Sequence, residues 1–454
     1  MNTRTRPLAV LAGGLTAALL LAACGSSADT ADSTPAASAE PTSTSEESAS
    51  LKPRLVLTYD GGIQVLDATT LELVSDLELS GFNRLNPAGD GRHVMVSTSG
   101  GFQVLDAGTW AQAHGDHSHY FVADPTLTDL TYSAETPGHV VVHEGRTALF
   151  DDGTGQITVV DSADIADPDA ELREFSTPAA HHGVAVELSD GSVVVSEGDE
   201  DGRTGIRLLD ANGDETAVND QCPGVHGEAM AADETVVIGC ENGALIVKDG
   251  QITKVAAPDS YGRIGNQAGS EESPIVLGDY KSDPDADLER PTRVSLIDTR
   301  TAELKLVDLP SSYTFRSLAR GDDGEALVLG TDGNLHVIDP ESGTLVRSMP
   351  VLDAWEEPEE WQEPRPAITV HEGTAYITDP ANNQLLAVDI LTGEIWNTTE
   401  LTVTPNELTI ATGEGHSHAE GEDHEGHDHA EESGHDDHDH SEDEHAHEEE
   451  TATS

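Results

Sequence analysis

Histidines are the residues whose type and spacing in this chain could do chemistry. The sequence contains 21 of them, and a group of these lies between residues 93 and 226. Neutral imidazole is the commonest protein ligand for Zn²⁺, and three imidazoles with a carboxylate or a water complete a tetrahedral site. The grouping therefore predicts at least one specific metal site in the body of the protein.

The candidate ligands come from a few short segments. The segment "AHGDHSHYFVADP" (residues 113–125), expected as a loop between two repeats, contains a His-x-His pair that can hold one ion with both imidazoles. His182 and His226 align when two repeats are superimposed, and the glycine after each lets backbone approach closely. The predicted ligands are His117, His119, His182 and His226. The reserve ligands, or partners that orient a ligand ring, are His114, Asp116, Asp124, His139 and His181. The alternative for each histidine is a structural role, with the imidazole hydrogen-bonded to a neighbouring loop.

A second group of histidines lies at the C-terminal end, in residues 412–454. This segment carries ten histidines and 17 carboxylates but no lysine, arginine or large apolar side chain, which predicts a disordered tail. Its His-x-His pairs are expected to bind metal weakly, since each must order a flexible chain. The alternative is a solvated acidic run. The paired histidines are His416 with His418, His427 with His429, His438 with His440, and His445 with His447.

The N-terminal end has the features of an export signal. In residues 1–24 a short basic region precedes an apolar run that ends at Cys24, and "LAAC" resembles a bacterial lipobox. We expect Cys24 to be lipidated, and the alternative is an ordinary secretory signal. Residues 25–50, rich in Ser, Thr, Ala and Glu, are predicted to be a disordered tether. The protein is therefore predicted to be a lipoprotein on the outer face of the cytoplasmic membrane, or periplasmic.

The two remaining cysteines agree with export. Cys222 and Cys240 form an even pair, which in an oxidising compartment predicts one disulfide. The alternative is a pair of thiolate metal ligands. A disulfide here would hold the loop that carries His226.

Residues 51–411 repeat one pattern of short strands, and this region must position the histidines. Apolar β-branched runs alternate with tight turns, at a spacing of about 40 to 50 residues per unit, which is typical of β-propeller blades. The pattern predicts an all-β propeller of eight blades, with seven as the alternative. The strands "RLVLTY" and "NELTIA", from opposite ends of the region, are expected to pair and close the ring.

The charge of the chain limits its partners. The formal net charge is −64, which repels nucleic acid and anionic lipid headgroups and attracts cations. Solubility alone would also explain this charge. The chain has only four methionines, so no thioether cluster for Cu(I) is predicted. Imidazole suits both zinc and nickel, and the residue types leave these two open.

The histidine segments resemble a known family. "HGDHSHYFVADPTLTDLTY", "AAHHGVAVELSDGSVVVSEG" and "CPGVHGEAMAADETVVIGCENG" are similar to the exported zinc metallochaperones of the AztD type. The resemblance implies a propeller that captures Zn²⁺ outside the cell and hands it to the solute-binding protein of a zinc ABC importer. It favours zinc over nickel, and we expect a monomer with no catalytic activity. The chain departs from the family pattern at its ends, with a lipid-type anchor and a C-terminal histidine-rich segment.

Two other functions are compatible with the sequence. A metal-dependent propeller enzyme would need a base beside the metal, and Glu187 and Glu228 are near enough in sequence to be considered. A protein-interaction platform with a metal-buffering tail is the second alternative. In a protein-interaction platform, the acidic insertion at residues 353–366, with Trp355 and Trp361, would form a docking patch. The alternative is that these tryptophans pack against a blade.

Overall fold

The described part of the chain folds into eight four-stranded antiparallel sheets and one small three-stranded sheet. The structure is a computed structural model that describes residues 45–115 and 117–415. Within those ranges there is no α-helix, only a short 3-10 turn at Ser162–Asp164, and no helix long and apolar enough to cross a membrane.

Some predicted functional residues lie outside the described ranges. They are the lipidation residue Cys24, the reserve ligand Asp116 and the eight paired histidines of the tail, for all of which the sequence interpretation stays a prediction. The tail histidines concerned are His416, His418, His427, His429, His438, His440, His445 and His447.

The eight sheets are numbered here in chain order, and the strands of each are given in their order within the sheet. Sheets 1 to 4 consist of Leu408–Ala411, Arg54–Tyr59, Gly61–Asp67 and Leu73–Leu79; Arg84–Pro87, His93–Thr98, Gly101–Asp106 and Thr126–Ser133; Pro137–His143, Arg146–Asp151, Gln156–Asp161 and Leu172–Ser176; and Ala185–Glu187, Val193–Gly198, Arg203–Leu209 and Glu215–Asn219.

Sheets 5 to 8 follow the same arrangement. They consist of His226–Ala231, Thr235–Cys240, Gly243–Lys248 and Gln251–Ala256; Gln267–Ala268, Ile275–Asp279, Arg293–Asp298 and Glu303–Asp308; Leu318–Arg320, Ala326–Leu329, Asn334–Asp339 and Thr344–Pro350; and Ile368–His371, Thr374–Asp379, Gln384–Asp389 and Ile395–Glu400.

Burial explains the composition of the strands. Second strands such as Thr235–Cys240 are buried at every position, because both faces of the sheet are covered by neighbouring sheets. Fourth strands such as Gln251–Ala256 alternate between exposed and covered positions over most of their length. The middle strands therefore need continuous apolar runs, whereas the fourth strands need the polar alternation seen in the sequence.

Each sheet packs on the sheets before and after it through an apolar cluster. Between sheets 4 and 5, for example, Val194 and Ile206 pack with Val236 and Leu245, all of them almost fully buried. Equivalent clusters join each of the remaining pairs of neighbouring sheets, including sheets 8 and 1. Full burial of such a side chain contributes about 1.5–3 kcal/mol to stability. The cyclic packing confirms the predicted all-β propeller architecture.

The two ends of the repeat region meet in sheet 1. Leu408–Ala411 pairs with Arg54–Tyr59 in the register Arg54↔Ala411 to Leu57↔Leu408. The predicted closure by strands from both ends is confirmed. It gives the strand that starts the first repeat a partner on its otherwise open edge.

The small sheet is a hairpin that carries histidines. Thr109–His114 and His117–Val122 pair with each other and are inserted between the third and fourth strands of sheet 2. The sequence analysis placed this segment in a loop between repeats; the structure places it within one, because Thr126–Ser133 returns to complete sheet 2. Glu46–Ser48, which falls in the predicted disordered tether, adds a third strand to this hairpin.

Candidate metal centre

Three histidines from three consecutive sheets meet where the first strands of those sheets begin. His139 lies in the first strand of sheet 3, His182 just before the first strand of sheet 4, and His226 at the start of the first strand of sheet 5. One ligand atom from each lies within 4.8 Å of the others. The Nε2 atoms of His182 and His226 are 3.2 Å apart. His139 and His226 are half-buried, whereas the His182 side chain is 40% exposed. This group is called the central cluster below.

An oxygen atom holds the other ring nitrogen of each imidazole. The Nδ1 atom of His182 lies 2.5 Å from Asp152 Oδ2, and that of His226 lies 2.5 Å from the carbonyl oxygen of Gly265. His139 Nδ1 lies 3.0 Å from Glu228 Oε2. An Nδ1–H that donates to oxygen leaves the Nε2 lone pair for a metal. The contacts at Nδ1 orient the rings of His182 and His226 so that their Nε2 atoms face each other, as two ligands of one zinc ion would.

Glycines make these contacts possible. A Cβ added at Gly138 would lie 2.1 Å from Asp152 Oδ1, so any larger residue there would displace the carboxylate. Gly227, which follows His226, has φ = +70°, and a Cβ there would lie 2.7 Å from the Gly265 carbonyl oxygen. The expectation that the glycine allows close backbone approach holds at this position.

The protonation equilibria within the central cluster are unequal. Burial, together with the charges of His139, Arg263 and His182, holds the pKa of His226 well below its ordinary value. Burial also disfavours the charged form of His139, but the charge and hydrogen bond of Glu228 outweigh it, so the pKa of His139 is raised. Three adjacent imidazoles cannot all be protonated without strong repulsion between their positive charges. Protonation is therefore more favourable at His139, beside Glu228, than at His226.

A second group of histidines lies at the end of the hairpin. His114 and His117 form its last cross-strand pair, and His119 lies two residues further along. Their ligand atoms also lie within 4.8 Å of one another. His114 and His117 are exposed, whereas His119 is half-buried, with its Nδ1 atom 2.7 Å from Glu47 Oε1. This group is called the hairpin cluster below.

The structure thus divides the four predicted ligands between two clusters. His182 and His226 lie in the central cluster with His139, and His117 and His119 lie in the hairpin cluster with His114. His139 and His114 were only reserve candidates.

Two reserve candidates belong to neither cluster. Both ring nitrogens of the buried His181 are engaged, at 3.0 Å from the Ala179 carbonyl oxygen and 3.0 Å from Ser196 Oγ. Asp124 is exposed and follows the strand His117–Val122, five residues beyond His119, which is ~16 Å along an extended chain. His181 therefore has the structural role that was the alternative for each histidine.

The sequence analysis missed the oxygens that orient the rings. Asp152 was not considered, and Glu228 was considered only as a catalytic base. One signal was present in the sequence, because Asp152 directly follows the second strand of sheet 3. In an antiparallel pair the second strand ends next to the start of the first, which is where His139 lies. The Asp152 N–H donates to the Thr136 carbonyl oxygen at 2.9 Å, just before that first strand. Gly265 had no comparable signal, since it lies 39 residues from His226.

The predicted disulfide is present beside the central cluster. Cys222 and Cys240 are bonded, with their Cα atoms 4.9 Å apart. Cys240 ends the strand that pairs with His226–Ala231, and His226 is opposite Gly239. The bond therefore connects the segment leading to His226 with the neighbouring strand.

The acidic insertion uses its two tryptophans differently. Trp355 is half-buried and donates its Nε1–H to the Gly330 carbonyl oxygen at 3.0 Å. Trp361 is 51% exposed and contacts Phe82 edge-on, with ring centroids 5.1 Å apart. Trp355 thus packs on the body, while Trp361 remains largely at the surface.

The fold and the central cluster together define a β-propeller with a candidate metal centre. No model of a known protein family matches the chain. The chain is similar to the zinc chaperone AztD of Citrobacter koseri, with 26% identity over 377 residues that cover 80% of this chain and 87% of that protein.

Solved structures agree with the propeller fold. A crystal structure of Citrobacter koseri AztD has a TM-score of 0.71 and 24% identity, covering 81% of this chain and 100% of that one. A structure of apo AztD from the same organism has a TM-score of 0.68 and 22% identity, covering 80% and 98%.

Proposed function

We propose that this protein is an extracytoplasmic zinc-binding metallochaperone that captures Zn²⁺ and hands it to the solute-binding protein of a zinc ABC importer. The observation that carries the proposal is the central cluster, in which His139, His182 and His226 converge with their Nδ1 atoms held by oxygens. Such a set fits zinc, because neutral imidazoles with fixed tautomers are its usual nitrogen ligands. The similarity to a protein named a zinc chaperone supports the same function.

The number of ligands suits transfer. Three protein ligands leave the fourth position of a tetrahedral ion open to water or to a ligand from another protein. A structural zinc site has four protein ligands and holds its ion closed off. The His182 side chain is 40% exposed, which leaves the centre accessible to solvent. An incoming protein ligand can therefore attach before the others leave.

The carboxylates considered for an enzyme are already paired with other side chains. Glu228 Oε2 lies 3.0 Å from His139 Nδ1. Glu187 is 4% exposed and forms ion pairs with Arg173 and with Arg146. A general base must be free to take a proton from a metal-bound water. These contacts favour a binding protein over a metal-dependent hydrolase.

The remaining parts of the proposal concern location. We propose that the chain is exported, anchored through a lipid on Cys24, and held off the membrane by a tether within residues 25–50. The disulfide between Cys222 and Cys240 is consistent with an oxidising compartment. The net charge of −64 keeps anionic headgroups at a distance and raises the local concentration of cations.

The test is a zinc titration of the full chain against a competing chelator. We expect one equivalent to bind more tightly than the rest, and this equivalent to be lost on His226→Ala or His182→Ala. His371→Ala, in sheet 8 and outside both clusters, is the matched control and should retain it. The zinc-loaded protein should then transfer its ion to a zinc-free solute-binding protein faster than free exchange with chelator allows. A titration without a tight equivalent sensitive to these two histidines would contradict the proposal.

A further inference from the structure

A groove opens on the face of the propeller that carries the central cluster. First strands begin and second strands end on this face, as they do beside His139. The groove lies between the end of the second strand of sheet 1, the segment before sheet 2 and the acidic insertion before sheet 8. Its volume is about 650 Å³, and its lining includes Tyr59, Phe82, Glu363, Pro364 and Val403. This space is called the insertion groove below.

The insertion groove is a neighbour of the central cluster. Asn83 lines the groove, and Arg84 directly follows it at the start of the first strand of sheet 2. Burial lowers the pKa of His139 and the charge of Arg84 lowers it further, although Glu228 outweighs both. Because Coulomb interactions weaken with distance, this effect places the groove wall near the metal centre. A protein seated in the groove would therefore stand beside the central cluster.

A tryptophan stands at the rim of the insertion groove. Trp361 is 51% exposed, and its ring meets that of Phe82 edge-on at a centroid distance of 5.1 Å. A large aromatic side chain that is half-exposed beside a groove has apolar area still to bury. Tryptophan is also among the residues that contribute most to the energy of protein interfaces. Trp361 therefore has the position and the chemistry of an interface anchor.

The chain on both sides of Trp361 is held in place. On one side Arg365, whose side chain is 1% exposed, donates to the carbonyl oxygen of Glu360 at 2.7 Å. On the other side Asn406 Nδ2 donates to the carbonyl oxygen of Gln362 at 2.9 Å. A surface that is ordered before binding loses less conformational entropy in the complex. The insertion thus presents a preorganised surface.

The charge of the insertion determines what it can bind. Arg365 is the only basic residue of the segment 353–366, and it is buried. Five carboxylates of the segment are exposed, on Asp353, Glu356, Glu359, Glu360 and Glu363. A lysine or arginine can pair with such carboxylates and place its cation over the indole ring. The surface therefore fits a basic segment.

The other available occupants carry the wrong charge. A second copy of the chain brings a formal net charge of −64. The C-terminal segment 412–454 brings 17 carboxylates and no lysine or arginine. Anionic lipid headgroups also have the same sign as the insertion, so repulsion opposes all three. Charge complementarity therefore selects a different protein with a basic surface.

We propose that the insertion groove docks a lysine- or arginine-rich segment of the protein that receives Zn²⁺ from the central cluster, with Trp361 as the anchor. Docking there raises the effective concentration of the receiving ligands beside the ion. The identity of the partner rests on the proposed function, whereas the preference for a basic segment stands on the groove itself.

The first test measures the affinity of the full chain for the solute-binding protein of a zinc ABC importer. A chelator keeps both proteins zinc-free, so that binding reports docking and not ligand exchange. We expect Trp361→Ala to raise the Kd of the complex at least about tenfold, through loss of the anchor. The matched control is Trp396→Ala, 41% exposed in the fourth strand of sheet 8, which should change the Kd less than about twofold.

The second test removes charge without removing the anchor. We expect Glu359→Gln with Glu360→Gln to raise the Kd at least about fivefold and to reduce its dependence on salt concentration. The matched control is Glu271→Gln with Glu272→Gln. These two adjacent glutamates are also exposed, but they lie between the first and second strands of sheet 6, on the opposite face. The control pair should change the Kd less than about twofold.

The outcomes separate docking from metal transfer. Absence of a complex, equal affinities of Trp361→Ala and Trp396→Ala, or equal effects of the two glutamate pairs would overturn the proposal. Self-association of the chain that Trp361→Ala abolishes would assign the groove to a second copy and overturn it too. A complex that depends on Trp361 but transfers no zinc from the loaded chain would count against the proposed function and not against the groove.

Discussion

At the residue scale, the metal centre depends on the oxygens behind the histidines. Asp152, Glu228 and the Gly265 carbonyl each hold one Nδ1 atom and thereby present one Nε2 atom. Without these oxygens an imidazole would lose more rotational entropy on binding an ion. It would also adopt the tautomer with Nε2–H, in which Nε2 has no lone pair for the metal. The affinity of the centre should therefore respond to residues that never touch the metal.

Replacement of Asp152 tests this dependence. We expect Asp152→Ala to weaken zinc binding at the central cluster by about 10- to 100-fold, since His182 loses its orienting partner. Chelator competition on the full chain measures the change. Asp169→Ala, an exposed carboxylate in a loop of sheet 3, is the control and should have no effect. Unchanged affinity in Asp152→Ala would show that His182 is positioned by packing alone.

The pKa values predict how zinc affinity varies with pH. Burial lowers the pKa of His139, but the charge and hydrogen bond of Glu228 outweigh it, so this pKa lies above its ordinary value of 6.5. Protons therefore begin to compete with zinc for His139 at a pH above 6.5. Affinity should be highest above that raised pKa and fall as the pH decreases through it. Glu228→Gln removes the charge, lowers the pKa of His139 and should move the fall to lower pH. Chelator competition at a series of pH values around the pKa of His139 measures this shift. If the fall in affinity stays at the same pH or moves to higher pH in Glu228→Gln, Glu228 is not the cause of the raised pKa.

At the scale of elements, each histidine of the central cluster depends on a strand end being held in place. His139 and His182 stand where the first strands of sheets 3 and 4 begin, next to the turn after Asp151. His226 has the disulfide between Cys222 and Cys240 as an additional constraint on the chain leading into it. This element both stabilises sheet 5 and limits the positions open to His226.

Removal of the disulfide should affect stability and binding together. The loop it closes has a sequence separation of 18, for which the chain-entropy estimate is ~3 kcal/mol. We expect Cys222→Ala with Cys240→Ala to lower the free energy of unfolding by about that amount and to weaken zinc binding at the central cluster. Denaturant unfolding measures the first effect. Wild-type protein treated with a reductant serves as the comparison, and equal stability of all three samples would show that the bond is dispensable.

At the scale of the whole molecule, closure of the ring depends on four residues far from the first strand in sequence. Leu408–Ala411 covers the edge of Arg54–Tyr59, and its side chains reach the apolar clusters that join sheet 1 to sheets 2 and 8. The same segment leads directly to Gly413 and the base of the hairpin. Fold closure and the contact with the hairpin base therefore depend on one stretch of chain.

Truncation separates these two roles. A chain that ends at residue 407 lacks the closing strand, exposes a strand edge and should show a lower Tm and self-association. A chain that ends after Gly415 keeps the strand and is the matched control, with the stability of the full protein. Thermal unfolding and size-exclusion chromatography measure both. Equal Tm values for the two truncated chains would mean that the ring does not need this strand.

The local parts of this protein follow from the sequence. Strands and turns are determined by neighbouring residues, so the repeat pattern predicted the sheets. The pairing of "RLVLTY" with "NELTIA" was predicted because the first repeat lacks an inner strand of its own. The histidine-glycine pairs indicated the edge at which His182 and His226 meet. The even number of cysteines indicated the disulfide.

The tertiary structure decided which side chains meet. His181 and His182 are identical neighbours, yet one is buried between Ala179 and Ser196 while the other joins His226. His181 is 6% exposed and the His182 side chain is 40% exposed, so a difference of one position before the strand Ala185–Glu187 reverses the role. Asp152 and Gly265 join the centre from 30 and 39 residues away from their histidines. Only the packing of one sheet against the next determines such distances, because no local rule in the sequence relates residues that far apart.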